Sequence, residues 1–153
     1  MKHTALTLLT LLISLLASSA AWCTSVESIL EKKEAPPGVV FEIVSDESDL
    51  LSLLLPEIKA DIKRLRDRFP ELPIAIVTHG IEQFELTTKN SSKAPGTHKL
   101  VEQMVKADHV DVHVCGTHAG WYGVTPEDFP EYVDVTAAAP VQPAGDVSAA
   151  VAA

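Results

Sequence analysis

The feature that most constrains the fold of this chain is an alternation of short β-branched runs with segments of helical periodicity. Strand-like runs occupy residues 38–44, 74–78, 109–114 and 132–135, and apolar side chains recur at helical spacing over 50–69 and 97–106. Strands that alternate with helices pair in parallel through right-handed crossovers, because a parallel pair needs a long connection. The sequence therefore predicts an α/β fold with a single, mostly parallel sheet and helices on both faces, arranged in three layers.

Three segments interrupt this pattern. Pro56 lies inside the first helical segment, where it cannot donate a backbone hydrogen bond, so we expect a kink or two helices in series. Residues 81–95 show little periodicity, and 89–93 have the composition of a surface loop. Thr125–Asp128 carries a helix-start signal, since proline stands at the first helical position and acidic residues follow.

The amino terminus has the order of a secretory signal. Lys2 and His3 precede an apolar run over 5–16, and small residues follow at 17–21. The run is shorter than the roughly 20 residues that a stable membrane span needs. Residues 1–21 are therefore predicted to be a cleaved signal peptide of a periplasmic or secreted protein, and an uncleaved anchor is the alternative.

The remaining chain suits one domain with flexible ends. Residues 22–37 form a polar leader that ends in two prolines, and 38–139 form the α/β domain. Residues 140–153 contain mainly Ala, Val, Pro and Gly, with almost no bulky side chain. This tail is predicted to be disordered.

The charge balance excludes two classes of partner. The chain of 153 residues has a formal net charge of −9, and such a surface repels nucleic-acid phosphates. It has no basic amphipathic stretch to bind an anionic membrane. We therefore expect no nucleic acid as a partner, and no membrane once the signal has been removed.

The two cysteines differ in position. Cys23 lies in the leader and Cys115 lies at the carboxyl end of the third predicted strand. Two cysteines do not make a disulfide scaffold, although a Cys23–Cys115 bridge stays open. The carboxyl ends of parallel strands form the usual ligand crevice, and a thiol there gains thiolate character from nearby backbone N–H groups or imidazoles.

Three histidines are predicted near that thiol. His113 lies two residues before Cys115, so both side chains leave the strand on the same side, and His118 follows in the turn. His79 ends the second strand and would reach the same edge if the second and third strands were neighbours. Cys115 is therefore the candidate nucleophile, with His113 and His118 as tuning groups. The alternative is that Cys115 is a small buried hydrophobic residue.

The segment around this cysteine resembles a known family. The stretch Val112–Val124 (VHVCGTHAGWYGV), followed by a Pro-Glu-Asp-Phe helix start and a short valine-rich strand, is similar to the DsrE/DsrF-like group. These are small α/β proteins of sulfur oxidation and sulfur relay. The likeness spans roughly 38–142, but only the strand–Cys–Gly–helix part is specific.

The resemblance implies a function and an assembly. It predicts a DsrE-like domain with a flavodoxin- or Rossmann-like layer order, in which Cys115 carries persulfide sulfur. It implies no cofactor. It also implies a trimer, a hexamer or a hetero-oligomer, with sulfur-donor or sulfur-acceptor proteins as partners.

Two other functions remain open from the residues alone. His113, Cys115 and His118 offer nitrogen and sulfur ligands that suit copper or zinc. A non-catalytic binding or assembly role is the third reading. Trp121 and Tyr122 follow the cysteine turn, where they would wall the crevice or serve as core or oligomer contacts.

Overall fold

The computed structural model describes residues 24–137 and the strand Val147–Val151. The predicted signal peptide at 1–21 and Cys23 lie outside these residues, as does the rest of the tail. In the described parts of the chain, no helix is both long enough and apolar enough to cross a membrane.

Helices and strands alternate along the chain. The strands are β1 Val39–Ile43, β2 Ile74–Thr78, β3 Asp111–Cys115, β4 Asp134–Thr136 and β5 Val147–Val151. The α-helices are α1 Val26–Leu30, α2 Leu50–Arg68, α3 Pro95–Lys106 and α4 Gly116–Trp121. Within the described residues, three 3₁₀ helices span Ile81–Leu86, Thr88–Asn90 and Pro126–Asp128.

The five described strands form one parallel sheet in the order β4-β3-β2-β1-β5. The predicted fold class, an α/β domain built on a single parallel sheet with helices, is confirmed. Strands β2 and β3 are direct neighbours, so the residues that follow them meet at one edge of the sheet.

Alternate strand residues and one stripe of α2 build the core. The buried strand residues are Val39, Phe41, Ile43, Ile74, Ile76, Val112 and Val114. From α2 they meet Leu51, Leu55, Ile58, Ile62 and Leu65. Truncating a core side chain of this kind to alanine costs about 2–5 kcal/mol, so these contacts are what hold the sheet edge in place.

Helix α2 continues through Pro56. Of the two outcomes predicted there, two helices in series does not occur. Pro56 is exposed, so the carbonyl group of Ser52 that loses its helical donor is also on the solvent side. The buried neighbours Leu55 and Ile58 hold both halves of the helix against the core.

The carboxyl end of α2 fixes the start of β3. The guanidinium of Arg66 donates from Nη1 to the carbonyl of Asp108 and from Nη2 to that of His109, at 3.0 Å for the second bond. His109 has a φ of 51°, in the left-handed region that β-strands do not use. Strand β3 therefore begins at Asp111, two residues after its predicted start.

The segment predicted to lack regular structure contains the first two 3₁₀ helices. A 3₁₀ helix has three residues per turn, so it does not produce the period of 3.6 that marks an α-helix. Its polar residues Glu82, Gln83 and Glu85 are buried, whereas Lys89 and Lys93 are exposed as the loop composition indicates. The regular structure that the sequence pattern missed is therefore Ile81–Leu86 and Thr88–Asn90.

Strand β5 lies within the segment whose composition predicts a disordered tail. Val147–Val151 pairs in parallel with β1, with Val39 opposite Val147. Main-chain pairing with an open strand edge needs no bulky side chains. Composition alone therefore misses this strand.

Candidate functional site

Cys115 is the last residue of β3 and the N-cap of α4. Its Sγ accepts a hydrogen bond from the backbone N–H of His118 at 3.4 Å, and the side chain is partly buried. Gly116 follows, and a Cβ there would lie 2.9 Å from the carbonyl oxygen of Thr136. Glycine thus allows β4 to approach, and the thiol lies at a close strand-to-helix turn.

Gln83 connects the main chain of Cys115 to the imidazole of His118. Its Oε1 accepts a hydrogen bond from the backbone N–H of Cys115 at 2.9 Å. Its Nε2 lies 2.8 Å from Nδ1 of His118. The Gln83 side chain is completely buried, so water does not compete for either bond.

Aromatic rings surround the imidazole of His118. Phe84 stacks on it with a centroid separation of 5.8 Å, while Tyr122 and Trp121 present their edges at 5.1 and 5.6 Å. Trp121 is 76% exposed and Tyr122 is 59% exposed. These two residues therefore line the site from the solvent side and are not core residues.

His113 lies on β3 two residues before the thiol. Val112 and Val114 are buried while His113 and Cys115 are partly exposed, which confirms that the latter two share a face of the strand. The Nδ1 of His113 lies 3.8 Å from a carboxylate oxygen of Asp134, its register partner on β4, and has no hydrogen bond. The contacts of His113 are with β4 rather than with the sulfur.

His79 follows β2 directly, at the same sheet edge as Cys115. Its Nε2 lies 3.2 Å from Oε1 of Glu42 on β1, within ion-pair distance but without hydrogen-bond geometry. The imidazole therefore interacts with β1, on the side away from β3. The edge predicted for His79 is correct, but its partner is a carboxylate rather than the thiol.

A buried carboxylate joins the ends of β1 and β2. Glu82 accepts three backbone N–H bonds, from Ser45 at 2.9 Å, His79 at 3.1 Å and Gly80 at 2.9 Å. A Cβ on Gly80 would lie 2.0 Å from the carbonyl oxygen of Ser45, so only glycine fits there. Glu82 places the 3₁₀ helix that carries Gln83.

A second buried polar group attaches α3 to the same 3₁₀ helix. Thr97 donates to Oε1 of Glu85 at 2.6 Å, and His98 lies 3.1 Å from both the carbonyl of Glu85 and the hydroxyl of Tyr132. Burial, assisted by the charge of Glu102, raises the pKa of Tyr132 above its ordinary value. These contacts hold α3 against the 3₁₀ helix that carries Gln83.

An open cavity of about 810 Å³ lies between the first turns of α2 and α3. Asp49, the N-cap of α2, and Ser52 line one side of it, and Gly96 and Thr97 line it from α3. Phe84 belongs both to this cavity and to the ring contacts of His118. The cavity and the thiol site are therefore adjacent, with one aromatic side chain between them.

The structure does not bring His113, Cys115 and His118 together as metal ligands. Across residues 24–137, no three His, Cys, Asp or Glu side chains converge closely enough to hold a metal ion. The reason is visible in their partners, since His113 contacts Asp134 and His118 contacts Gln83.

The sequence pattern predicts Cys115 and His118 at this site but gives no sign of Glu82 and Gln83. Both bonds of Gln83 and the bond from Ser45 to Glu82 join residues 32 to 37 positions apart, and the 3₁₀ helix that carries Glu82 and Gln83 has no α-helical period. Their position in the sequence could have indicated a role. Both residues follow the carboxyl end of β2, and the carboxyl ends of strands in a parallel sheet form the usual ligand crevice.

Comparisons with known proteins leave the family open. No protein-family model matches the chain, and no curated protein matches it. One similar solved structure is the protein of unknown function MTH1491 from Methanobacterium thermoautotrophicum, at 22% sequence identity and a TM-score of 0.48. The match covers 65% of this chain and 81% of that one. Since that protein is itself described as having unknown function, the likeness brings no activity to this chain.

Proposed function

We propose that this chain is an exported, DsrE/DsrF-like sulfur-handling protein that carries sulfur as a persulfide on Cys115. The observation that carries the proposal is the surroundings of the thiol. It is partly buried at a strand end, with the backbone N–H of His118 directed at its sulfur. A hydrogen bond of this kind favours the anionic sulfur that sulfur transfer needs.

The proposed reaction consists of two exchanges without net redox change. The thiolate of Cys115 attacks the terminal sulfur of a donor persulfide, a new S–S bond forms, and the donor leaves as a thiolate. A thiolate on the acceptor then attacks the terminal sulfur held on Cys115. The bond to Cys115 breaks and its thiolate is regenerated, as in ordinary thiol–disulfide exchange.

Intact-protein mass spectrometry tests this role. We expect the mature protein to gain the mass of one sulfur atom after incubation with inorganic polysulfide, and to lose the gain on treatment with a reducing thiol. Cys115→Ser should abolish the gain. Cys23→Ser is the matched control and should leave it intact if the mature chain retains that residue.

If no sulfur is taken up, alkylation of Cys115 by iodoacetamide distinguishes an accessible thiol that does not carry sulfur from a buried structural one. A Cys115 that alkylates readily in the folded protein but takes up no sulfur contradicts the proposal. A Cys115 that alkylates only after unfolding supports the reading in which it is a structural residue.

Export is part of the proposal and is tested separately. The charged, apolar and small-residue order of 1–21 supports a periplasmic or secreted location. When the protein is recovered from the periplasm or the culture medium of expressing bacteria, amino-terminal sequencing should show that the chain begins at Ala21 or Trp22. Recovery of the chain with Met1 in the membrane fraction would favour the uncleaved anchor.

A non-catalytic binding or assembly role is the second candidate, and the exposed aromatic pair favours it. Trp121 and Tyr122 present large apolar surfaces beside the thiol, and such residues are enriched at protein interfaces. Under both candidates we expect a homo-oligomer. Light scattering coupled to size exclusion should show it, and Trp121→Ser should weaken it. Assembly that persists without any sulfur uptake would favour the second candidate.

A further inference from the structure

The hydrogen bonds of Gln83 determine which nitrogen of His118 carries the proton. A backbone N–H can only donate, so the Gln83 atom that lies 2.9 Å from the Cys115 nitrogen must be the carbonyl oxygen. The other arm is then the NH₂ group, which can only donate. It lies 2.8 Å from Nδ1 of His118, so that nitrogen must accept and carries no hydrogen.

We propose that Gln83 is a positioning residue that holds His118 as the neutral tautomer protonated at Nε2. Its relevance to sulfur transfer rests on the function proposed above, but the tautomer itself does not.

The burial of Gln83 leaves its amide group only one favourable orientation. Gln83 has no exposed surface, so neither arm of its amide can exchange its partner for water. Reversing the amide would set the NH₂ group against the N–H of Cys115. A buried donor left without an acceptor costs about 1–3 kcal/mol, and the reversal creates such a pair. The main chain at Cys115 therefore selects the tautomer of His118.

The consequence concerns the role of the imidazole. The Nδ1 of His118 carries no hydrogen and already accepts the hydrogen bond from Gln83. It therefore cannot remove the proton of the thiol. The remaining polar group of the ring is the Nε2–H, which donates and does not accept. Within the proposed sulfur transfer, His118 thus acts as a hydrogen-bond donor and not as a general base.

Nuclear magnetic resonance of the imidazole nitrogens tests the proposal. In the ¹⁵N-histidine-labelled full chain, with His118 assigned by comparison with His118→Gln, we expect Nδ1 to be unprotonated and Nε2 protonated near neutral pH. In Gln83→Glu the side chain offers only acceptors. One oxygen can keep the Cys115 N–H, and the other then requires a proton on Nδ1. We expect the Nδ1 signal to move to the position of a protonated nitrogen.

A matched control makes the same chemical change elsewhere. Gln103 is exposed on α3, so Gln103→Glu should leave the His118 signals unchanged. A wild-type Nδ1 that carries the proton overturns the proposal, and so does a folded Gln83→Glu protein in which His118 keeps its tautomer. If Gln83→Glu does not fold, the wild-type spectrum decides alone. Absent sulfur uptake with the expected tautomer would contradict the proposed function and leave this inference standing.

Discussion

At the scale of single residues, the least expected feature is the buried carboxylate of Glu82. Burying a charge is costly unless hydrogen bonds replace its hydration, and here three backbone N–H groups do so. The two oxygens receive unequal shares, since Oε1 accepts two of the bonds and Oε2 accepts one. Both oxygens are therefore needed as acceptors.

Glu82→Gln should lower the free energy of unfolding by about 1–3 kcal/mol, because an NH₂ group would face a backbone donor. Urea unfolding followed by circular dichroism measures it. Glu131→Gln, at an exposed position, is the control and should stay within about 0.5 kcal/mol of wild type. Equal stability of the two variants would mean that the carboxylate is not bonded as described.

Tyr132 should be visible in an alkaline titration. The chain has two tyrosines, so Tyr122→Phe leaves Tyr132 alone. Its phenol absorbance should rise with a midpoint above the ordinary value of about 10, because burial raises its pKa. A midpoint at or below the value in the urea-unfolded protein would contradict this.

The same shift has a consequence for stability. The folded state keeps the Tyr132 proton to higher pH than the unfolded state, so its contribution is complete below about pH 10 and is lost as the pH rises through the folded pKa. Unfolding free energies should thus fall with alkaline pH more steeply in wild type than in Tyr132→Phe.

The site residues differ in how far apart along the sequence their hydrogen-bond partners lie. Cys115 and His118 are three positions apart, and their hydrogen bond is a local consequence of the turn at Gly116. Gln83 reaches both from more than 30 positions away. Local pattern therefore predicts the thiol and the imidazole but not the amide between them.

At the scale of elements, helix α2 contains Pro56 in its interior, and the fold accommodates this proline without depending on it. Pro56 removes one main-chain donor on the exposed side of the helix. Pro56→Ala restores that bond, and proline costs about 3 kcal/mol relative to alanine inside a helix. The unfolded chain gains freedom worth about 0.4–1 kcal/mol, so we expect a net stabilisation of about 2–2.6 kcal/mol.

Urea unfolding of Pro56→Ala should show a higher midpoint with an unchanged slope. Ala60→Gly, one turn later and exposed, should instead destabilise the protein by about 1 kcal/mol and reports that the helix is intact. A lower midpoint for Pro56→Ala would show that the proline geometry itself is required.

The elements themselves were largely predictable, and their boundaries less so. Strand β2 has the predicted limits because turn residues stand on both sides of an apolar run. Strand β4 begins later than predicted because Val133 donates to the carbonyl of Pro130 in a turn and is buried there. Its valine-rich sequence fits either conformation, and only the tertiary contact decides.

At the scale of the whole molecule, β5 covers an edge that β1 would otherwise expose. Unpaired strand edges are templates for association with another chain. A chain that stops at Asp146 should therefore elute as larger species, with the increase growing with concentration, when size exclusion with light scattering compares it with the full chain. Identical masses and stabilities would mean that this pairing contributes nothing in solution.

The contact between Arg66 and the turn before β3 has an effect at a distance. Side chains alternate between the two surfaces of a sheet, so the first paired residue determines which surface every later one meets. Arg66 holds the carbonyls of Asp108 and His109 and so fixes that first residue at Asp111. A slip of one position there would carry the sulfur of Cys115 to the opposite surface. Arg66, on a helix remote from Cys115, thereby determines the surface of the sheet on which the thiol becomes accessible.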